Sequence, residues 1–284
     1  MKKSILCFAL ILLAASCKKN EGVKCPIKVH VANFSIEQTN FPSRNTPVGT
    51  YTNVKVLTLA FYAADGTELY NHSQLRDDAT TYTTFGEFEC SLPMGTHTMV
   101  VIGYGGTNPF DLTGPTSAVC TDIRLQDTFV NTQSITINSN EGTNVSASLY
   151  RPVSVMVVKS SDQRVSNATK IRMTLTAGGR DFNPSTGFAL NNTGFNNTIP
   201  FSTAVGATTS SGSYIFLATD EQTMNVTIET LDDNNNVLFS ETVNDVPFKR
   251  NRQTIMTGRM FTEDVTGASF TIQNDWLGDY NMGF

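Results

Sequence analysis

At 284 residues the chain is long enough for two domains of ordinary size, each burying a core of its own. Only 16% of its residues are charged, against about a quarter in an ordinary globular chain, and the net charge is −5 with no basic block. That balance excludes the electrostatic footprint of a nucleic-acid binder, and no apolar run, the first one included, reaches membrane-spanning length.

The chain opens on Lys2 and Lys3, followed by an apolar run over 5–13 broken only by Cys7, and then Leu13-Ala14-Ala15-Ser16-Cys17. Charged, apolar and small residues in that order mark a secretory signal. Because it ends on cysteine, it resembles a bacterial lipoprotein signal (residues 1–16), in which Cys17 carries lipid and becomes the mature N-terminus. Acyl chains contribute about 0.8 kcal/mol per buried CH2, so two or more hold a protein to a membrane. Residues 17–24 are polar and read as a tether. Cys7 leaves with the signal and Cys17 takes the lipid, which leaves Cys25, Cys90 and Cys120. They allow at most one internal bridge, in three possible pairings. A Cys90–Cys120 bridge is one option, and buried free thiols are the expected state.

Beyond the tether the apolar period is two almost everywhere. Ile27, Val29 and Val31 alternate with Lys28 and His30. Residues 54–63 form a strong β run, Asp65-Gly66 signals a hairpin, and 67–70 returns. Strands follow over 85–92, 98–104, 134–137 and 145–150. After Arg151-Pro152 come 153–158, 171–176, 214–218, 226–231, 237–243, 254–261 and 269–272. No stretch has a sustained helical period; 122–131 and 162–168 hold a turn or two at most. Roughly seven short strands per half predict two β-sandwich domains, over 25–150 and 151–284. An echo supports the split: the strand–hairpin order around Asp65-Gly66 leading to Pro93 recurs around 232–236 leading to Pro247. Polar stretches at 38–51, 71–84, 105–118 and 178–212 exceed normal connection lengths and read as surface loops, functional or mobile.

The chemistry of a catalyst is missing. The histidines are His30, His72 and His97, none in ligand spacing, and no nucleophile elbow or phosphate-binding loop occurs. Gly103-Tyr104-Gly105-Gly106 ends a strand without opening a helix and reads as a flexible exit. The acidic run at 232–236 offers hard oxygens for calcium, but Asp and Asn are equally the residues of a tight turn. No enzyme, metal or cofactor is expected. Trp276 and Tyr280, with loop aromatics such as Phe188 and Phe195, offer a sugar-stacking surface; Trp276 closing a core is the simpler reading.

Two segments carry a family resemblance. One is the Val-x-Val-Leu-x-Leu-x-Phe-Tyr-x-x-Asp-Gly strand and hairpin over 54–66; the other is Val-Pro-Phe-Lys-Arg-Asn-Arg-Gln-Thr over 246–254. With the lipoprotein signal and the paired polar sandwiches, they resemble the fimbrillin-like proteins of Bacteroidales, which include stalk, tip and anchor subunits of type V pili. The resemblance implies two tandem transthyretin-like, Greek-key, seven-stranded sandwiches and a lipid-anchored, surface-exposed outer-membrane location. It also implies assembly with other fimbrial subunits by strand exchange: a protease cuts after a basic residue, the N-terminal strand leaves, and a neighbour's C-terminal strand replaces it. In this chain Arg44, in the expected loop, is the candidate cut. Ile27, Val29 and Val31 form the candidate outgoing strand, and Phe270 and Ile272 stand in the segment that is donated or closes its own domain. The implied function is a structural or accessory subunit of anchor or tip type, with a host glycan or protein as a further partner. The alternative is a surface glycan-binding lipoprotein without catalysis, using Trp276 and Tyr280. Intact mass of the protein taken from cells should show an acyl adduct that disappears in Cys17→Ser; an unmodified Cys17 in a longer or differently trimmed chain rejects the lipid anchor.

Overall fold

A computed structural model describes residues 24–38, 41–48, 51–78, 84–262 and 270–274, and among these none is helical. The strands of the first half are β1 (Lys24–Gln38), β2 (Phe41–Pro47), β3 (Val56–Tyr62), β4 (Glu68–Leu75) and β5 (Glu87–Pro93). They continue with β6 (Gly95–Tyr104), β7 (Asp111–Gly114), β8 (Ser117–Val119), β9 (Thr128–Ile137) and β10 (Thr143–Tyr150). The second half contains β11 (Ser154–Ser160), β12 (Lys170–Leu175), β13 (Phe195–Pro200) and β14 (Ser210–Ile215). It closes with β15 (Glu221–Leu231), β16 (Val237–Lys249), β17 (Gln253–Gly258) and β18 (Thr271–Asn274).

The first half builds one sheet in the order β2-β1-β10-β9-β6-β3-β4, with β5 also paired to β1. The second half builds two four-stranded sheets, β14-β11-β17-β18 and β13-β12-β15-β16. Their stacking follows from how side chains alternate across a strand. Every residue of β3 is buried, as continuous apolar runs are when both faces are covered. Leu57, Leu59 and Phe61 enter one core with Met99 and Val101 of β6. Val56, Ala60 and Tyr62 enter another with Val100, Ile102 and Tyr104. That second core takes Val153, Val155 and Val157 from the second half, while Met156 and Val158 of the same segment turn into a third core. The third core is covered by Ile171 and Met173 of β12 and Val226 and Ile228 of β15, strands whose other face is polar. The two halves are therefore joined face to face through a common apolar layer.

That layer uses the stretches expected to be surface loops. Phe110 stands edge-on to Tyr104, with ring centroids 4.8 Å apart, and to Phe182 at 5.3 Å. Phe182 stacks on Phe216 at 4.3 Å, and a bridge between Ala118 and Phe182 fastens the β7–β8 hairpin across the halves. Residues 105–118 and 178–212 thus hold buried structure, and 38–51 and 71–84 contain β2 and the end of β4. Isolated aromatics in a polar run leave no period to read, which is why the expectation failed there. A further correction concerns 246–248, which is the end of β16 rather than a separate segment; Pro247 fits because β16 is an edge strand.

Where the halves meet, Arg151 is buried. Its Nε and Nη2 each donate to the Asp127 carboxylate at 2.8 Å, and Nη2 also donates to the Tyr51 hydroxyl at 2.9 Å. The Tyr51 hydroxyl donates to Asp127 at 3.0 Å, and the guanidinium lies over the Phe129 ring at 4.8 Å. Burial opposes the charge, but Asp127 and Tyr51 outweigh it and hold the guanidinium above the ordinary arginine range. Removing one partner of such a pair leaves an uncompensated buried charge. Asp127→Ala should lose about 3–5 kcal/mol of unfolding free energy in urea titration. Phe182→Ala should lose a similar ~3–5 kcal/mol and reduce amide-exchange protection in both halves together; loss confined to the second half contradicts the shared layer.

Candidate functional site

The first strand occupies an unusual place for the earliest described segment of the chain. β1 runs parallel to β10, with Ile27 opposite Thr143 and Tyr150 opposite Ser35. On its other side it runs antiparallel to β5 and then to β2. Cys25, Ile27, Val29 and Val31 point inward and are at most 1% exposed. Beyond a bulge at residue 32 the phase switches, so Phe34 rather than Asn33 enters the core, against Phe129 at 4.8 Å. The outward face pairs polar side chains in register: Lys28 forms an ion pair with Glu89 at 2.7 Å, and His30 hydrogen-bonds Glu87 at 2.5 Å. Hydrogen bonding to Glu89 holds the Lys28 ammonium above the usual lysine range. Burying each Ile, Val or Phe side chain is worth about 1.5–3 kcal/mol. An emptied β1 slot thus leaves an apolar trough flanked by unpaired backbone of β5 and β10.

The other residues singled out from the sequence scatter. Arg44 sits within β2, opposite Ile36, and not in a loop; the β2 ladder is made by polar residues that carry no apolar alternation. Phe270 and Ile272 are half-buried against the third core, where β18 pairs with β17 of the same chain, and Phe270 covers Gly258. Cys17, Trp276 and Tyr280 lie outside the described residues. Of the loop aromatics, Phe188 has the Arg250 guanidinium over its ring at 4.9 Å, and Phe195 packs on the third core. Cys25, Cys90 and Cys120 are free thiols, and burial pushes the Cys90 thiol up to about 11, leaving it protonated at neutral pH.

The polar motifs also resolve into structural roles. Asp232 accepts from the Asn236 side-chain amide at 2.9 Å, the Asn236 backbone amide at 2.8 Å and the Asn234 backbone amide at 2.9 Å, which hold its carboxyl below the usual range. The Lys170 ammonium donates to the Asp233 carbonyl and to Asn235 in the same β15–β16 turn, where a calcium ion would need those oxygens. His97 donates to the Pro93 carbonyl at 2.8 Å and is buried. Gly103 and Gly106 are required for contact rather than flexibility: a Cβ would lie 2.8 Å from the Phe34 ring and 2.0 Å from the Asp122 carboxylate, respectively.

The 246–254 segment forms the joint between β16 and β17. Lys249 pairs with Glu221 at 2.5 Å and Arg250 with Asp220 at 2.6 Å, and the Asn251 amide donates to the Val153 carbonyl at 3.0 Å. Asn251 adopts φ 56°, a left-handed conformation that costs an ordinary side chain about 1–2 kcal/mol. Asn251→Ala should therefore be less stable than Asn251→Gly by ~1 kcal/mol in thermal unfolding; equal losses would place the whole effect in the side chain.

The fold is shared with solved structures at low identity. A candidate adhesin from Bacteroides ovatus is 10% identical with a TM-score of 0.51, over 91% of this chain and 96% of that one. The fimbrial anchor protein Mfa2 from Porphyromonas gingivalis is 11% identical with a TM-score of 0.50, over 89% and 97%. A candidate polysaccharide-binding protein from Bacteroides thetaiotaomicron is 10% identical with a TM-score of 0.50, over 91% and 99%. At such identities the likeness speaks for the fold alone. No curated protein matches the sequence. Residues 113–283, which run from the β7–β8 hairpin through the whole second half, match the family of unknown function DUF6562; they are more than half of the chain, and the chain belongs to that family.

Proposed function

We propose that the chain is a structural or accessory subunit, of anchor or tip type, of a cell-surface fimbria. In this reading it consists of tandem transthyretin-like sandwiches, is tethered to the outer membrane by lipid on Cys17, and assembles by β-strand complementation. The observation that carries the proposal is the seat of β1. The strand nearest the tether supplies both a row of core side chains and two ladders of backbone hydrogen bonds. A slot of that kind is filled by any strand that brings both, which is the physics of strand addition. The fold shared with a fimbrial anchor protein and a candidate adhesin supports the reading.

Anchor and stalk roles differ at one bond. A stalk subunit is cut after Arg44 and loses its lipid together with β1, whereas an anchor keeps both. Because β2 hydrogen-bonds to β1, the cut here requires that edge to open first. The test is to mix the mature chain with sibling subunits of the same locus, with and without a trypsin-like protease, and to map the contact by cross-linking. The expected product has a partner's strand against the chain's own strands; if neither condition yields a strand-exchanged complex, the proposal fails.

A further inference from the structure

A second feature lies away from the β1 slot and does not depend on it. Residues of 52–55, 105–108 and 121–127, with Tyr214 of β14, line an open cleft of about 500 Å³, a volume in the usual range for ligand sites. Its lining mixes apolar surface, including Ile123 and Tyr214, with the polar groups of Thr52, Asn53, Lys55, Asn108, Arg124 and Gln126. An apolar ligand would strand those groups without partners, whereas a polyhydroxylated one pairs with them.

The walls are built to stay where they are. The Asp122 carboxylate accepts from the Thr107 amide at 2.9 Å, the Thr107 hydroxyl at 3.2 Å and the Asn108 side-chain amide at 2.6 Å. Gly106 makes this possible, since any side chain there would collide with that carboxylate. From behind, Arg180 donates to the Asp122 carbonyl and Asp181 accepts from the Cys120 amide at 2.9 Å, so the second half braces the loop. Thr121 donates to the Pro109 carbonyl at 2.7 Å and ties the two loops together. A cleft fixed in advance spends little of its binding energy on ordering itself.

The charges select among hydroxylated ligands. Lys55 and Arg124 line the cleft and Arg151 and Arg180 stand behind it, against the carboxylates of Asp122, Asp127 and Asp181. This is a local positive excess in a chain of net charge −5. The carboxylates are already engaged by protein donors, Asp127 by the buried Arg151. At the rim stands Ile123, 90% exposed on the braced loop, which offers a C–H surface to one face of a sugar ring.

We infer that this cleft binds a carboxylated sugar, of the hexuronate kind, through its hydroxyls and its carboxylate together. The test is titration of the full mature chain by ligand-observed NMR with glucuronate, glucose and acetate as probes. Glucuronate should bind, glucose about tenfold more weakly, and acetate without saturation, because only the first brings both kinds of group. Lys55→Ala should weaken glucuronate about tenfold at unchanged melting temperature, and Lys55→Arg should restore it. Absence of glucuronate binding up to about 10 mM overturns the inference. So does equal binding of glucose, competition by acetate at equal concentration, or an affinity that Lys55→Ala leaves untouched.

Discussion

Everything in this molecule hangs on strands that are apolar on both sides. β3, β11 and β6 from Met99 onward have no solvent face, because each divides two cores between its odd and even residues. A strand of that kind has no polar side to turn outward, so a sheet must lie on each flank. The stacking of the first half on the second follows from that requirement. The loops that would otherwise cross open surface are drawn in to cap the layer, with Phe110 and Phe182 as their contributions. Arg151 is tolerated at the junction because Asp127, Tyr51 and the Phe129 ring replace the water it gives up.

The same logic sets the roles of the two ends of the chain. β1 is inserted between strands that are distant in sequence, and it is held by ladders and side chains rather than by a covalent turn on both sides. β18 is four residues long and lies on an edge, packed through Ile272 and Phe270. The first described strand thus fills an interior slot, and the last described strand lies along a margin.

Much of the fold was legible from residue pattern. The period-two runs, the Asp65-Gly66 hairpin with its left-handed Gly66, and the change of sheet near Arg151-Pro152 are all local signals, and the structure contains each. The shared middle core was not legible. The unbroken apolar run of β3 signalled burial on two sides, but nothing in it names the surface that covers the second side. β2, β7, β8 and β13 escaped notice because they are short and set only one or two apolar residues among polar neighbours, too few to show a period. At the β1 slot, Ile27, Val29 and Val31 were visible by alternation, while Cys25 and Phe34 were not, one read only as a thiol and the other thrown out of phase by the bulge. The cleft was hidden for a different reason: its residues come from four separated segments, and the Gly105-Gly106 pair looks like slack until Asp122 is seen resting against Gly106.

The bulge at residue 32 has a consequence for molecular matching. It is an insertion of one residue that lets Val31 and Phe34 share a trough although they are three positions apart. A strictly alternating strand laid in the same place would satisfy the pockets of Ile27 to Val31 and then present its next apolar group to solvent. The hollow beside Phe129, Tyr51 and Gly103 would be left empty. Any strand that filled this trough from end to end would need the same one-residue offset.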